Sequence, residues 1–153
     1  YRRLTRIPAP IRTQISIAEL FTDLKKLFPE EEFQFEVPSP ELKLNVDRTQ
    51  IEQILINLLK NAREACSRKS DKKIQVKARK LSAGNTTLTI SDNGEGILPD
   101  VLDKIFVPFF TTKTSGSGIG LSLCKQIMTL HEGSINVKSE VGKGSSFILT
   151  FPK

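Results

Sequence analysis

The chain lacks tryptophan altogether and has only one tyrosine, one histidine, one methionine and two cysteines among its 153 residues. Cys66 and Cys124 have neither metal-ligand spacing nor the pattern of a disulfide framework, which indicates a reducing compartment. No secretory signal is visible at Tyr1, and no apolar run approaches the ~20 residues that a membrane span needs. We therefore expect a soluble, cytoplasmic fragment with no direct membrane contact, and membrane anchoring of the parent protein stays open.

Acidic residues are scarce between positions 60 and 80, where only Glu64 and Asp71 occur. The overall net charge is +6. Such a basic run favours an anionic partner, either nucleotide phosphates or nucleic acid, although a solvated surface would have the same composition. The basic residues of this run are Lys60, Arg63, Arg68, Lys69, Lys72, Lys73, Lys77, Arg79 and Lys80.

The first part of the chain predicts a linker followed by one folded domain. Pro8 and Pro10 disfavour helix at the residues before them, so residues 1–15 are expected to be extended. Ser16 and Glu19 form a capping-box pattern, and apolar residues then repeat at helical spacing. With 38% hydrophobic residues, the chain has enough apolar material for one domain, which we assign to residues 16–153.

The remaining periodicities predict an α/β (α+β) two-layer sandwich. A regular helix after Asp47 is indicated by apolar residues at i, i+3, i+4 and i+7. About three helices should cover one face of a mixed, mostly antiparallel sheet. In order, we expect strands at 33–37 and 42–46, the helix after Asp47, a hairpin at 73–81 and 86–92, a brief helix at 101–106, a helix at 119–131 and a hairpin at 134–139 and 145–151.

Asp92 is the first residue that this structural pattern leaves unexplained. Leu88, Ile90 and Asp92 share strand parity, so the carboxylate ends a row of side chains that points into the core. A buried carboxylate needs hydrogen-bond donors. The glycine-containing segment 93–97 then lets backbone approach a flat ligand closely. A structural cap or turn is the alternative interpretation.

Asn57 and Asn61 are the second unusual feature, because asparagine is a poor residue for a helix interior. They lie four residues apart and therefore present two amides on one helix face. Side-chain amide oxygens in this position suit a hard cation such as Mg²⁺ or a group bound to it. Two polar residues on a solvated face remain the alternative.

Two further segments suggest a phosphate site with a cover. Gly116 to Leu121 places flexible backbone N–H groups at the start of a helix, where phosphates bind readily, although a loop without a ligand would look the same. The segment from Phe106 to Lys113 carries three aromatic residues and a cation, as a closing lid would. A small apolar cluster under a long loop is the alternative.

In this order, the four motifs resemble those of the GHKL superfamily of ATP-binding domains, of Bergerat type, and within it the sensor histidine kinases. Residues 57–62 resemble the asparagine box, 92–96 the first glycine box, 106–110 the phenylalanine box and 116–121 the second glycine box. Residues 142–147 are similar to the family's last strand. The short segment Thr111-Thr112-Lys113 is similar to the lid of nitrogen-regulation-type kinases.

The resemblance implies ATP and Mg²⁺ as cofactors. It implies that Asp92 accepts a hydrogen bond from the adenine amino group, assisted by Gly96 and Ser145, and that Asn61 coordinates Mg²⁺. Asn57, Lys60 and Lys113 would act at the phosphates as catalytic residues. The nucleotide-binding residues implied in full are Asn57, Asn61, Asp92, Gly94, Gly96, Ile97, Phe106, Thr111, Thr112, Lys113, Gly116, Gly118, Ile119, Gly120, Leu121 and Ser145.

Four positions refine the functional prediction. The family's hydrolases place a glutamate four residues before the metal-binding asparagine, whereas this chain has Asn57, which activates water poorly and favours a kinase over a GHKL ATPase. Glu64 and Ala65 stand where many members carry a basic residue and a tyrosine, which puts a phosphate contact there in doubt. His131 resembles a structural helix end and lies in no phosphoacceptor motif.

The resemblance therefore implies a catalytic domain that transfers the ATP γ-phosphoryl group to a histidine on a separate dimerisation and phosphoacceptor domain. A response regulator would be the downstream partner. The competing prediction from a different class is a nucleic-acid-binding module that uses the basic run. That run lacks interleaved aromatic residues for base stacking, so we expect no nucleic acid partner.

Overall fold

The computed structural model describes residues 6–110 and 120–153. No helix within these two segments has both the length and the apolarity needed to cross a membrane. Their elements, in chain order, are β1 (Thr13–Ser16), α1 (Ile17–Leu27), β2 (Phe33–Glu36), β3 (Lys43–Val46), α2 (Arg48–Ala65), β4 (Ile74–Lys80), β5 (Thr86–Asp92), α3 (Pro99–Leu102), α4 (Gly120–Leu130), β6 (Ser134–Glu140) and β7 (Gly144–Phe151).

The main sheet has five strands in the order β2-β4-β5-β7-β6. The pairing of β2 with β4 is parallel, and the other three pairings are antiparallel. Helices α1, α2 and α4 pack against strands of this sheet and α2 also packs on the other two helices. The predicted mixed, mostly antiparallel two-layer α/β sandwich is therefore confirmed.

Buried and more exposed side chains alternate along the strands, which gives the sheet a core face and an outer face. On β5, for example, Leu88 and Ile90 are almost completely buried, whereas Thr87 and Thr89 are only half-buried. The neighbouring strands keep this parity, because Ile90 pairs with Val76 on one side and with Phe147 on the other. The core thus lies between one face of the sheet and the helices.

Both long N-terminal helices begin at the capping residues that the sequence predicts. The amide of Glu19 donates to Ser16 Oγ over 3.2 Å at the start of α1. The amide of Gln50 donates to Asp47 Oδ1 over 3.1 Å at the start of α2. Each side-chain oxygen satisfies a backbone donor that the helix itself leaves without a partner.

Two observed boundaries differ from those expected. We expected residues 1–15 to be a linker, but Thr13–Ser16 forms β1, which pairs with β3 in a separate two-stranded sheet. Its Ile15 lies opposite Leu44 and is buried, so burial of this apolar side chain ties the segment to the domain. The brief helix expected at 101–106 instead spans Pro99–Leu102, because proline is well suited to the first position of a helix.

Candidate nucleotide site

One end of the core face of the sheet is polar. Asp92 ends β5 and pairs with Ser145 of β7, which in turn pairs with Ser139 of β6. The three residues therefore form one cross-strand row on the face that elsewhere carries the apolar core. The sequence parity of Leu88, Ile90 and Asp92 predicted this direction for the Asp92 carboxylate.

The Asp92 carboxylate is held by backbone amides at the edge of the core. The Gly94 amide donates to Asp92 Oδ1 over 2.8 Å. Burial raises the pKa of Asp92 above the ordinary aspartate value, and hydrogen bonds from the backbone of Gly94 and Ser145 partly oppose that rise. A partly desolvated carboxylate of this kind interacts strongly with a further donor, such as an amino group of a ligand.

The glycine-containing loop after Asp92 is fixed from two sides. The Glu95 amide donates to the carbonyl of Ala65 at the C-terminal end of α2 over 3.2 Å, and the Gly142 amide donates to the Glu95 carbonyl over 2.9 Å. Gly96 has a φ of +79°, and a Cβ there would lie 2.4 Å from the Glu140 carbonyl oxygen. Glycine is therefore required at position 96 by both backbone conformation and space.

The start of β7 also approaches this loop closely. Gly144 has a φ of +128°, and a Cβ added to it would lie 2.0 Å from the carbonyl oxygen of Asp92. Only glycine allows this turn to press against the end of β5. The glycine at the last turn thus helps to shape the same site as the first glycine box.

One side of α2 runs from the region around Asp92 to the start of α4. Asn57, Asn61 and Ala65 follow each other at intervals of four residues, so they lie on the same side of the helix. Ala65 contacts the glycine loop, whereas a Cβ on Gly120 at the start of α4 would lie 2.6 Å from Asn57 Oδ1. These two contacts are separated by ~12 Å along the helix axis.

The aromatic segment before residue 111 turns only partly inward. Ile105 is buried, and Phe106 packs against the core with the ammonium of Lys125 5.6 Å from its ring centroid. Val107 and Phe109 are 49% and 51% exposed. Phe109 also has a φ of 68°, which is uncommon for a residue with a bulky side chain.

Most sequence-predicted site residues that the structure describes converge. Asp92, Gly94, Gly96, Ile97 and Ser145 surround one end, as their mutual hydrogen bonds and pairings show. Asn57 and Gly120 meet at the other end, with Asn61 between on α2 and Lys60 exposed on that helix. Phe106 and Leu121 are half-buried against the core. Thr111, Thr112, Lys113, Gly116, Gly118 and Ile119 lie outside the described residues.

The sequence analysis missed Ser139 and gave Asn93 no role of its own within the first glycine box. Ser139 Oγ accepts a hydrogen bond from the Ile97 amide over 2.8 Å. Asn93 Oδ1 accepts from the Lys73 amide and Asn93 Nδ2 donates to the Asp71 carbonyl, each over 2.9 Å, which holds the loop before β4 against the end of β5. Ser139 shares strand parity with Ile135 and Val137, the same signal that identified Asp92.

His131 occupies a structural position, as its sequence context predicts. It is 2% exposed, its Nε2 accepts from the Asp47 amide over 3.0 Å, and its Nδ1 lies 2.9 Å from the Ile127 carbonyl oxygen. The carbonyl can only accept, so the proton must sit on Nδ1 of a neutral ring. The imidazole joins the end of α4 to the start of α2.

Comparisons with known proteins agree on one family. A model of the family described as histidine kinase-, DNA gyrase B- and HSP90-like ATPases matches residues 46–153. The solved catalytic domain of histidine kinase ThkA is 35% identical, with a TM-score of 0.81 and coverage of 93% of this chain and 95% of that domain. The structure of histidine kinase ThkA in complex with response regulator protein TrrA is also similar, with 31% identity and a TM-score of 0.75. This match covers 93% of our chain and 42% of the ThkA chain.

The chain matches only part of a longer relative. The sensor histidine kinase ZraS of Salmonella typhimurium is 39% identical over 110 residues, which is 72% of this chain. The chain spans only 23% of the length of ZraS. The resemblance to ZraS therefore concerns one part of a larger sensor protein.

Proposed function

The chain belongs to the histidine kinase-, DNA gyrase B- and HSP90-like ATPase family and is an ATP-binding catalytic domain of the sensor histidine kinase type, and from this premise we propose roles for its residues. Asp92 accepts a hydrogen bond from the adenine amino group, beside Gly94, Gly96 and Ile97. The observation that carries this proposal is the partly buried Asp92 carboxylate next to a clamped loop. Such a carboxylate gains a partner when the base binds.

The phosphates extend from this end along α2 toward the start of α4. Asn57 lies against Gly120 there, which supports a phosphate position between the two helices. Lys60 neutralises phosphate charge, together with Lys113. The backbone N–H groups of Gly118 to Leu121 contribute at a positive helix end. The family resemblance also assigns nucleotide binding to Phe106, Thr111, Thr112 and Gly116.

The donor set fits Mg²⁺, the metal that the family implies. Magnesium is commonly bound by one or two protein oxygens together with substrate phosphates. Asn61 supplies an amide oxygen on the α2 edge between the two ends of the site. When bound, Mg²⁺ neutralises charge on the phosphates and orients them.

The chemistry assigned to this site is phosphoryl transfer rather than hydrolysis. Asn57 stands where the hydrolytic members of the family carry the glutamate that activates water. An amide does not accept a proton near neutral pH, so the γ-phosphoryl group is preserved for another nucleophile. We assign that role to a histidine on a separate dimerisation and phosphoacceptor domain, positioned in line with the γ-phosphorus.

The partners of the parent protein follow from this chemistry. His131 is not the acceptor, because it is buried and both ring nitrogens have backbone partners. A phosphohistidine on the second domain would pass its phosphoryl group to a response regulator. The structure of ThkA with TrrA supports such a partner for this domain type.

Calorimetric titration with a non-hydrolysable ATP analogue, with and without Mg²⁺, tests the proposed site. We expect tighter binding with Mg²⁺ in the unaltered chain. Asn61→Ala should lower affinity mainly when Mg²⁺ is present, because its contact is with the metal. Asn136→Ala, on the exposed side of β6, is the control. Equal weakening of the Asn61 variant with and without Mg²⁺ would refute the metal role.

A further inference from the structure

The hydroxyl group of Ser139 has three hydrogen-bond partners. Its Oγ lies 2.8 Å from the Ile97 amide nitrogen, 3.1 Å from the Gly144 carbonyl oxygen and 2.8 Å from Ser145 Oγ. A hydroxyl donates one hydrogen bond and accepts two. The amide can only donate and the carbonyl can only accept, so Ser139 gives its single proton to Gly144. The third bond must then be donated by Ser145.

This arrangement fixes the direction in which the Ser145 hydroxyl group donates its hydrogen bond. Its only hydroxyl proton points to Ser139, and its Oγ therefore offers lone pairs alone to any other group. Ser145 is the cross-strand partner of Asp92, whose carboxylate also only accepts. Ser145 is 6% exposed, so bulk water does not compete for its hydroxyl group and change the direction in which the proton points. The two residues form a row of acceptors.

We propose that Ser139 is a specificity-positioning residue that sets the base preference of the nucleotide site. By holding the Ser145 proton, it makes the pocket select a purine that donates from C6, as the amino group of adenine does. The C6 oxygen of a purine such as hypoxanthine would meet only acceptors and gain no hydrogen bond there. This inference rests on the proposed nucleotide site at Asp92.

The test compares ADP with IDP, whose base has an oxygen in place of the amino group at C6 and a proton on N1. Ser139→Ala frees the Ser145 hydroxyl to rotate and donate to a C6 oxygen. The preference for ADP, measured by calorimetry as the ratio of the IDP and ADP dissociation constants, should fall about threefold to tenfold, the usual range for one hydrogen bond. Ser139→Thr keeps the hydroxyl and should restore the ratio.

A matched control exists on the opposite face of β7. Ser146 Oγ lies 2.7 Å from Ser91 Oγ, another cross-strand serine pair next to the site residues in sequence. Ser146→Ala removes the same kind of hydroxyl from the strand that carries Ser145 and should leave the ratio unchanged. Ser145→Ala is the second variant if Ser139→Ala does not fold, and it should also lower the ratio because it removes the fixed acceptor.

The outcomes separate the two proposals. If Ser139→Ala weakens ADP and IDP equally, Ser139 only supports the Ile97 backbone and the specificity role is overturned. If the unaltered chain binds neither nucleotide, the proposed site itself fails, and the inference fails with it. A reduced ratio in Ser139→Ala and Ser145→Ala, with an unchanged ratio in Ser146→Ala and Ser139→Thr, supports the proposed direction of the Ser145 hydrogen bond.

Discussion

At the scale of single residues, Asp92 carries the strongest prediction. Asp92→Ala removes the only carboxylate in the cross-strand row and should weaken nucleotide binding at least tenfold, because a charge-assisted hydrogen bond contributes ~1.5–3 kcal/mol. Titration calorimetry with ADP measures the change. Asp100→Ala, on the exposed surface of α3, is the control and should bind normally. An unchanged dissociation constant for the Asp92 variant would remove Asp92 from the site.

Sequence parity predicted the direction of Asp92 but missed Ser139. Both residues end a row of core-facing side chains, Leu88 and Ile90 before one and Ile135 and Val137 before the other. A buried carboxylate is costly and demands an explanation, whereas a serine near a turn has many ordinary roles. The role of Ser139 depends on three partners from two other segments, and no local pattern contains that information.

At the scale of elements, the start of α2 is a junction for three segments. Asp47 caps the helix, and its Oδ2 accepts from the Ile11 amide over 2.9 Å. The backbone hydrogen bond from Ile11 lowers the pKa of Asp47, and a second from Gln50 acts in the same direction. The Asp47 amide itself donates to His131 at the end of α4. The N-terminal segment, α2 and α4 are thus linked through Asp47.

Asp47→Ala should destabilise the domain by about 1–2 kcal/mol near neutral pH, because it removes a helix cap and a partner of Ile11. A lowered pKa means that the carboxylate contributes stability above the unfolded value near 3.8 and that this contribution is lost as the pH falls through the lower folded value. Urea unfolding at several pH values measures the difference in free energy of unfolding between Asp47→Ala and the unaltered chain. This difference should become smaller in acid. Asp103→Ala, exposed after α3, is the control. A difference in free energy of unfolding that stays constant with pH would contradict a contribution from the charge of the Asp47 carboxylate.

Helices with caps were predictable, whereas some strand pairings were not. Local signals such as Ser16 and Asp47 set where α1 and α2 begin, and the structure confirms both. The parallel pairing of β2 with β4 and the separate pairing of β1 with β3 join segments far apart in the chain. Turn chemistry specifies hairpins, but it does not specify these long-range pairings.

At the scale of the whole molecule, the basic run is divided among different surfaces. The Arg63 guanidinium packs over Phe28 and Phe33, 4.9 and 5.4 Å from their ring centroids, and pairs with Glu30. Lys77 and Arg79 lie on the outer face of the sheet, away from α2. This distribution disfavours one continuous stripe for a nucleic acid backbone. Of the run's two residues on α2, Lys60 and Arg63, the second packs on the aromatic rings instead.

The whole fold also explains why the domain should need a partner for chemistry. The proposed site would bind a base at one end and phosphates near the junction of α2 and α4, but His131 is enclosed in the core and Asn57 is a poor base. We therefore expect the chain alone to bind ATP without appreciable hydrolysis or self-phosphorylation. Transfer should require a separately supplied histidine.

Incubation with γ-labelled ATP tests this central claim most directly. The chain is assayed alone and with the dimerisation and phosphoacceptor domain that we propose for its parent protein, and both assays are repeated with His131→Ala, after its folding has been checked. The account predicts label on the added domain's histidine in both cases and none on this chain. Label on this chain alone that disappears in the His131 variant would contradict it.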